Sequence, residues 1–220
     1  YLEPSAVNEI VGMLNWNGLS TSAHKKGTGT LKKMYEGKSK FSPLFTLTED
    51  FNLGMLHRFN ELGELADIQM PIIEKGELKN FFTCSRTAKE YGIPSNKANN
   101  SECMRSPIIE TGDLKREDIL KKLDTGIYIS NLHYLNWSDC ETARITGMTR
   151  YACFWVENGK IVAPIKDLRF DESLYHILGD GLVAVTNFSE IIPATGSYRN
   201  RDMGGSKIPG MLIKNFKFTL

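Results

Sequence analysis

Two rhythms of apolar residues alternate along this chain, and each predicts a different element. Near the start, Val7, Ile10, Val11 and Leu14 recur at i, i+3, i+4 and i+7, the stripe that an amphipathic helix turns toward a core. Pro4 suits a first helical turn, Ser5 or a neighbour supplies the cap, and Asn17-Gly18 predicts the stop. Residues 18–40 lose the rhythm. Gly, Ser, Thr and Lys dominate there, which predicts a solvated and partly mobile loop.

Beyond residue 42 the pattern becomes that of strands and tight turns. Residues 44–48 predict a strand, and residues 68–73 and 78–84 predict a hairpin about Glu74-Lys75-Gly76-Glu77. Residues 86–91 predict a short helix closed by Gly92, with Pro94 just beyond. Residues 94–113 are polar and predict an irregular surface excursion. A helix is predicted over 115–123, burying Leu114, Ile119, Leu120 and Leu123 on one side. Residues 126–135 are apolar on both faces, as in a central strand. The sharpest local signal is Asn158-Gly159 between the apolar runs 151–156 and 161–165. Both turn residues tolerate positive φ, so a type I′ hairpin is predicted. A helix over 173–178, a strand over 182–186 and a closing strand over 209–220 complete the reading. The fold class predicted is α+β: one antiparallel, β-rich domain over residues 1–220, a curved sheet or partly closed barrel with a few short helices.

Composition narrows the partners. Lys plus Arg number 27 and Asp plus Glu 26, a formal net charge of +1, which gives no global reason to expect nucleic acid or an anionic membrane. Within residues 18–40, Lys25, Lys26, Lys32, Lys33, Lys38 and Lys40 face only Glu36, and a solvated face accounts for them. No apolar run approaches the ~20 residues that cross a bilayer. The chain opens on Tyr-Leu-Glu-Pro-Ser, which predicts a truncated or cleaved protein with a portion preceding it. Cys84, Cys103, Cys140 and Cys153 form no C-x-x-C pair, which predicts reduced thiols and a cytoplasmic protein.

Generic catalytic signatures are absent: no G-x-S-x-G, no phosphate-binding glycine loop, no H-E-x-x-H. His24, His57, His133 and His176 are isolated from one another in sequence, and Asp67, Asp139, Asp167 and Asp171 suit loop and cap positions.

Several segments, in order, nevertheless resemble one family. They include Leu2-Glu3-Pro4-Ser5-Ala6-Val7, Phe59-Asn60-Glu61-Leu62-Gly63-Glu64, Ile73-Glu74-Lys75-Gly76-Glu77-Leu78 and Thr146-Gly147-Met148-Thr149-Arg150. Phe154-Trp155-Val156-Glu157-Asn158-Gly159-Lys160 and Ile208-Pro209-Gly210-Met211-Leu212 continue the series. Together they resemble the C-terminal domain of the TldD/PmbA proteins, a metallopeptidase family once named for modulation of DNA gyrase. The likeness covers essentially this whole chain and about half of a family member, without the family's N-terminal α/β domain.

The family's zinc-binding branch carries H-E-x-x-x-H on its first helix and a downstream cysteine. The matching stretch here is Asn8-Glu9-Ile10-Val11-Gly12-Met13, with both histidine positions replaced, and residues 196–207 hold no cysteine. Zinc takes imidazole, thiolate or carboxylate, whereas Asn8 offers an amide and Met13 a thioether. Without a metal-bound water, Glu9 has no activated nucleophile to serve. The resemblance therefore implies a metal-free pseudo-peptidase of the PmbA (TldE) type. Such a protein would bind extended peptide or unfolded polypeptide, as a homodimer or paired with a zinc-bearing TldD-like subunit. Two alternatives stand beside it. One is an active zinc metallopeptidase with ligands relocated among His24, His57, His133, Cys103 and Cys140. The other is a protein acting on DNA gyrase or nucleic acid through the lysine-rich stretch.

Overall fold

The computed structural model describes residues 1–198 and 201–219. Helix α1, Pro4–Gly12, begins with Pro4 in its first turn and Glu3 as the capping residue, so Ser5 lies inside the helix. A 3-10 turn, Met13–Asn15, extends it, and Asn17 at φ 66° ends the run beside Gly18. The predicted stripe is fully buried: Val7, Ile10, Val11 and Leu14 are each at most 1% exposed. Each such side chain contributes roughly 1.5–3 kcal/mol through burial. α1 packs against strands of two different sheets, which makes it the central strut of the domain.

Residues 18–40 correct the sequence reading. They carry α2, Thr21–Lys25, capped by the Ser20 hydroxyl that accepts the Ala23 N–H, and α3, Lys32–Tyr35. Thr21, Ala23, His24, Leu31 and Met34 are buried. The lysines do face solvent, but the segment is anchored because its few apolar residues reach the core.

The strands are β1 Leu47–Asp50, β2 Gln69–Glu74, β3 Glu77–Leu78, β4 Pro107–Ile109, β5 Gly126–Tyr128, β6 Asn131–Asp139 and β7 Arg144–Arg150. They continue with β8 Phe154–Glu157, β9 Lys160–Pro164, β10 Arg169–Ser173, β11 Leu182–Pro193, β12 Gly205–Ile213 and β13 Phe218–Thr219. Two further helices, α4 Ser85–Tyr91 and α5 Ile119–Leu123, lie between them. Three sheets form, in the orders β11-β12-β4-β1-β2-β3, β13-β10-β7-β6 and β5-β8-β9. They remain open, so the α+β class holds and the open sheet, not the barrel, is the architecture found. The ladders between these strands are antiparallel except that of β12 with β4, which meet in parallel through one register pair, Lys207 opposite Ile108. Isolated parallel bridges also join Leu2 to Ile129, Ser20 to Phe82 and Leu114 to Thr186.

Both predicted hairpins form. Lys75 and Gly76 (φ 47° and 80°) turn β2 into β3, and Asn158 and Gly159 (φ 51° and 71°) turn β8 into β9. At position 76 a side chain is doubly disfavoured, since a Cβ would also stand 2.3 Å from the Phe41 carbonyl oxygen.

Four expectations are overturned. The excursion over 94–113 contains β4, which pairs with β1 and β12 deep in the largest sheet. The continuous strand over 126–135 is two strands in two sheets. Ile129 breaks it by donating to the Tyr1 carbonyl and accepting from the Glu3 N–H. The stretch 173–178 is the end of β10 followed by a helical turn, His176–Asp180, kinked at Gly179. The closing strand is β12, a turn at Asn215 and the short β13; the expectation for Leu220 lies outside the described residues.

Candidate functional site

A cleft of ≈ 830 Å³ opens along one face of α1, and it is where the family motif and the fold meet. Asn8, Gly12 and Asn15, at i, i+4 and i+7, line its floor. Gly12 leaves open space where a Cβ would stand. The walls come from residues 56–61, from residues 99–107 leading into β4, and from residues 192–194 and 201–206 at the ends of β11 and β12 that face each other.

The asparagines that line the cleft are each oriented by specific partners. Asn8 Oδ1 accepts the hydroxyl of Ser206 at 2.5 Å, and Ser206 is itself buried on β12. Asn15 Oδ1 accepts the Met104 N–H at 2.8 Å. Asn99 Oδ1 accepts the Cys103 N–H at 2.9 Å. Asn60 is fully occupied: its amide donates to Glu64 and to the Lys97 and Ala98 carbonyls while its oxygen accepts the N–H groups of Leu62 and Glu64.

Arg105 fastens one wall. Its guanidinium donates to the Phe59 carbonyl at 2.9 Å and the Arg58 carbonyl at 3.1 Å, and it stacks 4.8 Å over the Phe51 ring. Its backbone N–H donates to the buried carboxyl of Glu49, as does that of Ser106. Burial pushes the Glu49 carboxyl up to about 7, against the two N–H donors and the Arg105 charge, which pull it down. Cys103, whose thiol donates to the Asn15 carbonyl, is pushed up to about 11 by burial and then by Glu102 and Glu49, so it is no ready thiolate.

The three motif positions do not converge. Met13 is 3% exposed and joins the hydrophobic core, as its ~140° offset from Asn8 on a helix dictates. Glu9 is exposed and is not among the cleft-lining residues. Partial loss of hydration raises its carboxyl above the ordinary range, against the opposing charge of Arg150. An amide already bonded through its oxygen, with a thioether turned away, does not fit a zinc ion. The relocation candidates are also dispersed. His24 is buried against Tyr35 and Phe81, His57 stacks on Phe59 at the cleft wall, and His133 lies on β6. Cys140 is exposed and Cys103 half-buried. Among the described residues, no three or more His, Cys, Asp or Glu side chains stand close enough to hold a metal ion.

Sequence reasoning found the floor but missed the walls. The polar character of residues 94–113 predicts a surface excursion, although Met104, Pro107, Ile108 and Ile109 carry an apolar signal within it. The segment near 196–207, flagged only for lacking a cysteine, borders the cleft through Arg201, Asp202 and Met203.

Comparison with known proteins agrees with this geometry. The family described as PmbA/TldA metallopeptidase C-terminal domain matches residues 1–220. A "Metalloprotease TldD homolog" of Buchnera aphidicola is 28% identical over 200 residues, 84% of this chain and 38% of that protein. The crystal structure of TldE from Thermococcus kodakarensis superposes with a TM-score of 0.75 at 20% identity, over 100% of this chain and 49% of that one. A Bacteroides thetaiotaomicron protein named as a proposed modulator of DNA gyrase gives 0.75 at 20% identity, over 99% of this chain and 46% of its own. At such identities the structures speak for the fold alone, and this chain spans half or less of the length of these relatives. No helix among the described residues is long and apolar enough to cross a membrane. Because the family match runs the length of the chain and the fold agrees with it, the chain belongs to the TldD/PmbA family and corresponds to its C-terminal domain.

Proposed function

We propose that this chain is a metal-free peptide-binding subunit of a peptide-processing assembly, holding extended polypeptide in the cleft beside α1. The single observation that carries this reading is at the motif helix. Asn8 is held by Ser206 while Met13 is buried in the core, so the position that would grip a Lewis acid presents a neutral amide instead. The cleft is large enough for several residues of extended chain and mixes apolar walls (Leu56, Phe59, Met104, Ile192) with polar groups on its floor. Cleavage would then depend on a partner that supplies the metal, a zinc-bearing TldD-like chain.

The test is reconstitution. The full-length protein, prepared without chelator, is expected to carry no stoichiometric zinc and to bind an unfolded casein peptide without cleaving it. Mixed with a zinc-bearing relative, it is expected to support EDTA-sensitive cleavage. Cleavage by this protein alone, abolished by EDTA, would falsify the reading.

A further inference from the structure

The hydrogen bonds around the cleft determine which end of each lining amide remains available, and apart from the fully occupied Asn60 that end is the same in the other three. Asn8, Asn15 and Asn99 each give their oxygen to the protein: to the Ser206 hydroxyl, the Met104 N–H and the Cys103 N–H respectively. A backbone N–H can only donate, so the orientations of Asn15 and Asn99 are fixed; the Ser206 hydroxyl is placed as the donor to Asn8. Each side chain is left with an NH₂ group that has no hydrogen-bond partner among the described residues, and all three residues line the cleft. Asn8 and Asn15 lie seven residues apart on α1 and its 3-10 extension, roughly 10 Å at 1.5 Å per residue, which is about three residues of extended chain. Gly12 lies between them with open space above it, so a backbone can approach closely.

We infer that Asn8, Asn15 and Asn99 form a set of hydrogen-bond donors that holds an extended polypeptide by its backbone carbonyl oxygens. The inference rests on the functional reading above and deepens it by naming the atoms on each side. It also gives Asn8 a role. Where the family resemblance places a metal-ligating imidazole, an amide N–H would engage a carbonyl oxygen by hydrogen bonding, which orients it without the polarisation that a divalent ion provides. Charge does not set the preference: the cleft is lined by two cationic side chains, Arg105 and Arg201, and two anionic ones, Glu61 and Asp202, a balance that suits neutral acceptors.

Asn-to-Asp substitution separates this idea from a merely structural one. Aspartate retains the oxygen that accepts from Ser206, Met104 or Cys103 and loses the NH₂ donor. N8D, N15D and N99D should therefore melt close to wild type. Binding is read by fluorescence anisotropy with a labelled, unstructured Ala/Gly decapeptide, and each substitution should weaken it about tenfold, the factor for one lost hydrogen bond. The same peptide with its three central carbonyls replaced by methylene groups should bind wild type weakly and should no longer discriminate between wild type and N8D. If wild type binds the decapeptide and all three Asp variants bind it equally well while remaining folded, the donor set is wrong and the peptide-binding reading survives. If wild type binds no peptide, both fall.

Discussion

Replacing Glu102 by alanine is expected to cost the protein about 3–5 kcal/mol, a fall in melting temperature on the order of 10 °C for a domain of this size. The side chain is 2% exposed and stands where three segments converge. One oxygen accepts the Ser20 hydroxyl at 2.6 Å and the Ser22 N–H at 2.8 Å, at the N-terminal turn of α2. The other accepts the Cys84 N–H at 3.0 Å, at the start of α4. One carboxylate thus satisfies unpaired donors at two helix N-termini, where negative charge is also favoured by the helix dipoles. Alanine leaves the Ser22 and Cys84 N–H groups and the Ser20 O–H without acceptors in a site too enclosed to rehydrate. Glutamine keeps one acceptor oxygen and should lose about half as much. The pH dependence has a definite sign. Burial alone would raise this carboxyl, but its hydrogen bonds from Ser20, Thr87, Ser22 and Cys84 outweigh burial and hold it below the ordinary range. A group depressed in the folded state stabilises fully above its unfolded value and loses that contribution as pH falls through its folded value. Urea titrations of wild type and E102A at neutral pH and near pH 3 should therefore show a gap that narrows on acidification. A neutral-pH gap below about 1 kcal/mol would remove Glu102 from this role.

Glu49 should act in the opposite direction. Its carboxyl is 3% exposed and sits at about 7, well above an unfolded glutamate near 4.5. A raised carboxyl adds stability that is fully present below the unfolded value and is lost as pH rises through the folded one. Between about pH 4.5 and 7 this group should therefore remove stability, by about 3 kcal/mol at ~1.4 kcal/mol per unit. Glutamine cannot titrate. The drop in unfolding free energy from pH 5 to pH 8 should be smaller by about 2.5 kcal/mol in E49Q than in wild type, with other groups cancelling in the comparison. Superimposable pH profiles would show that the N–H donors of Arg105 and Ser106 hold the carboxylate ionised throughout.

What could be read from the sequence was whatever is local. The stripe Val7, Ile10, Val11 and Leu14 specifies α1 because a 3.6-residue period needs no knowledge of the partner surface. Asn158-Gly159 specifies its hairpin because the turn chemistry lies in two adjacent residues. β4 was hidden for the converse reason. Its three residues have no local partner, and they become a strand only because β1 and β12, far away in sequence, flank them. The lysine-rich segment 18–40 misled because its charge count describes the solvent side and says nothing of Leu31 and Met34 beneath. The candidate site divides along the same line. Asn8 and Met13 were visible as a motif on one helix, whereas the walls at 56–61 and 99–107 become walls only through long-range bonds such as those from Arg105 to the Arg58 and Phe59 carbonyls.

The short parallel seam between β12 and β4 has a mechanical consequence. It joins the β11–β12 ribbon to the β4-β1-β2-β3 block, and Ser206 and Pro107, which border the cleft, sit next to its one register pair. A seam that short resists splaying far less than the long antiparallel ladder between β11 and β12. Backbone hydrogen bonds from Gly112 to Thr186, from Leu114 to Val185 and from Asn187 to Leu114 tie the ribbon to the chain that leaves β4. The cleft end of the seam, held by the Lys207–Ile108 pair, is therefore the less braced end and the one that sets the width of the mouth.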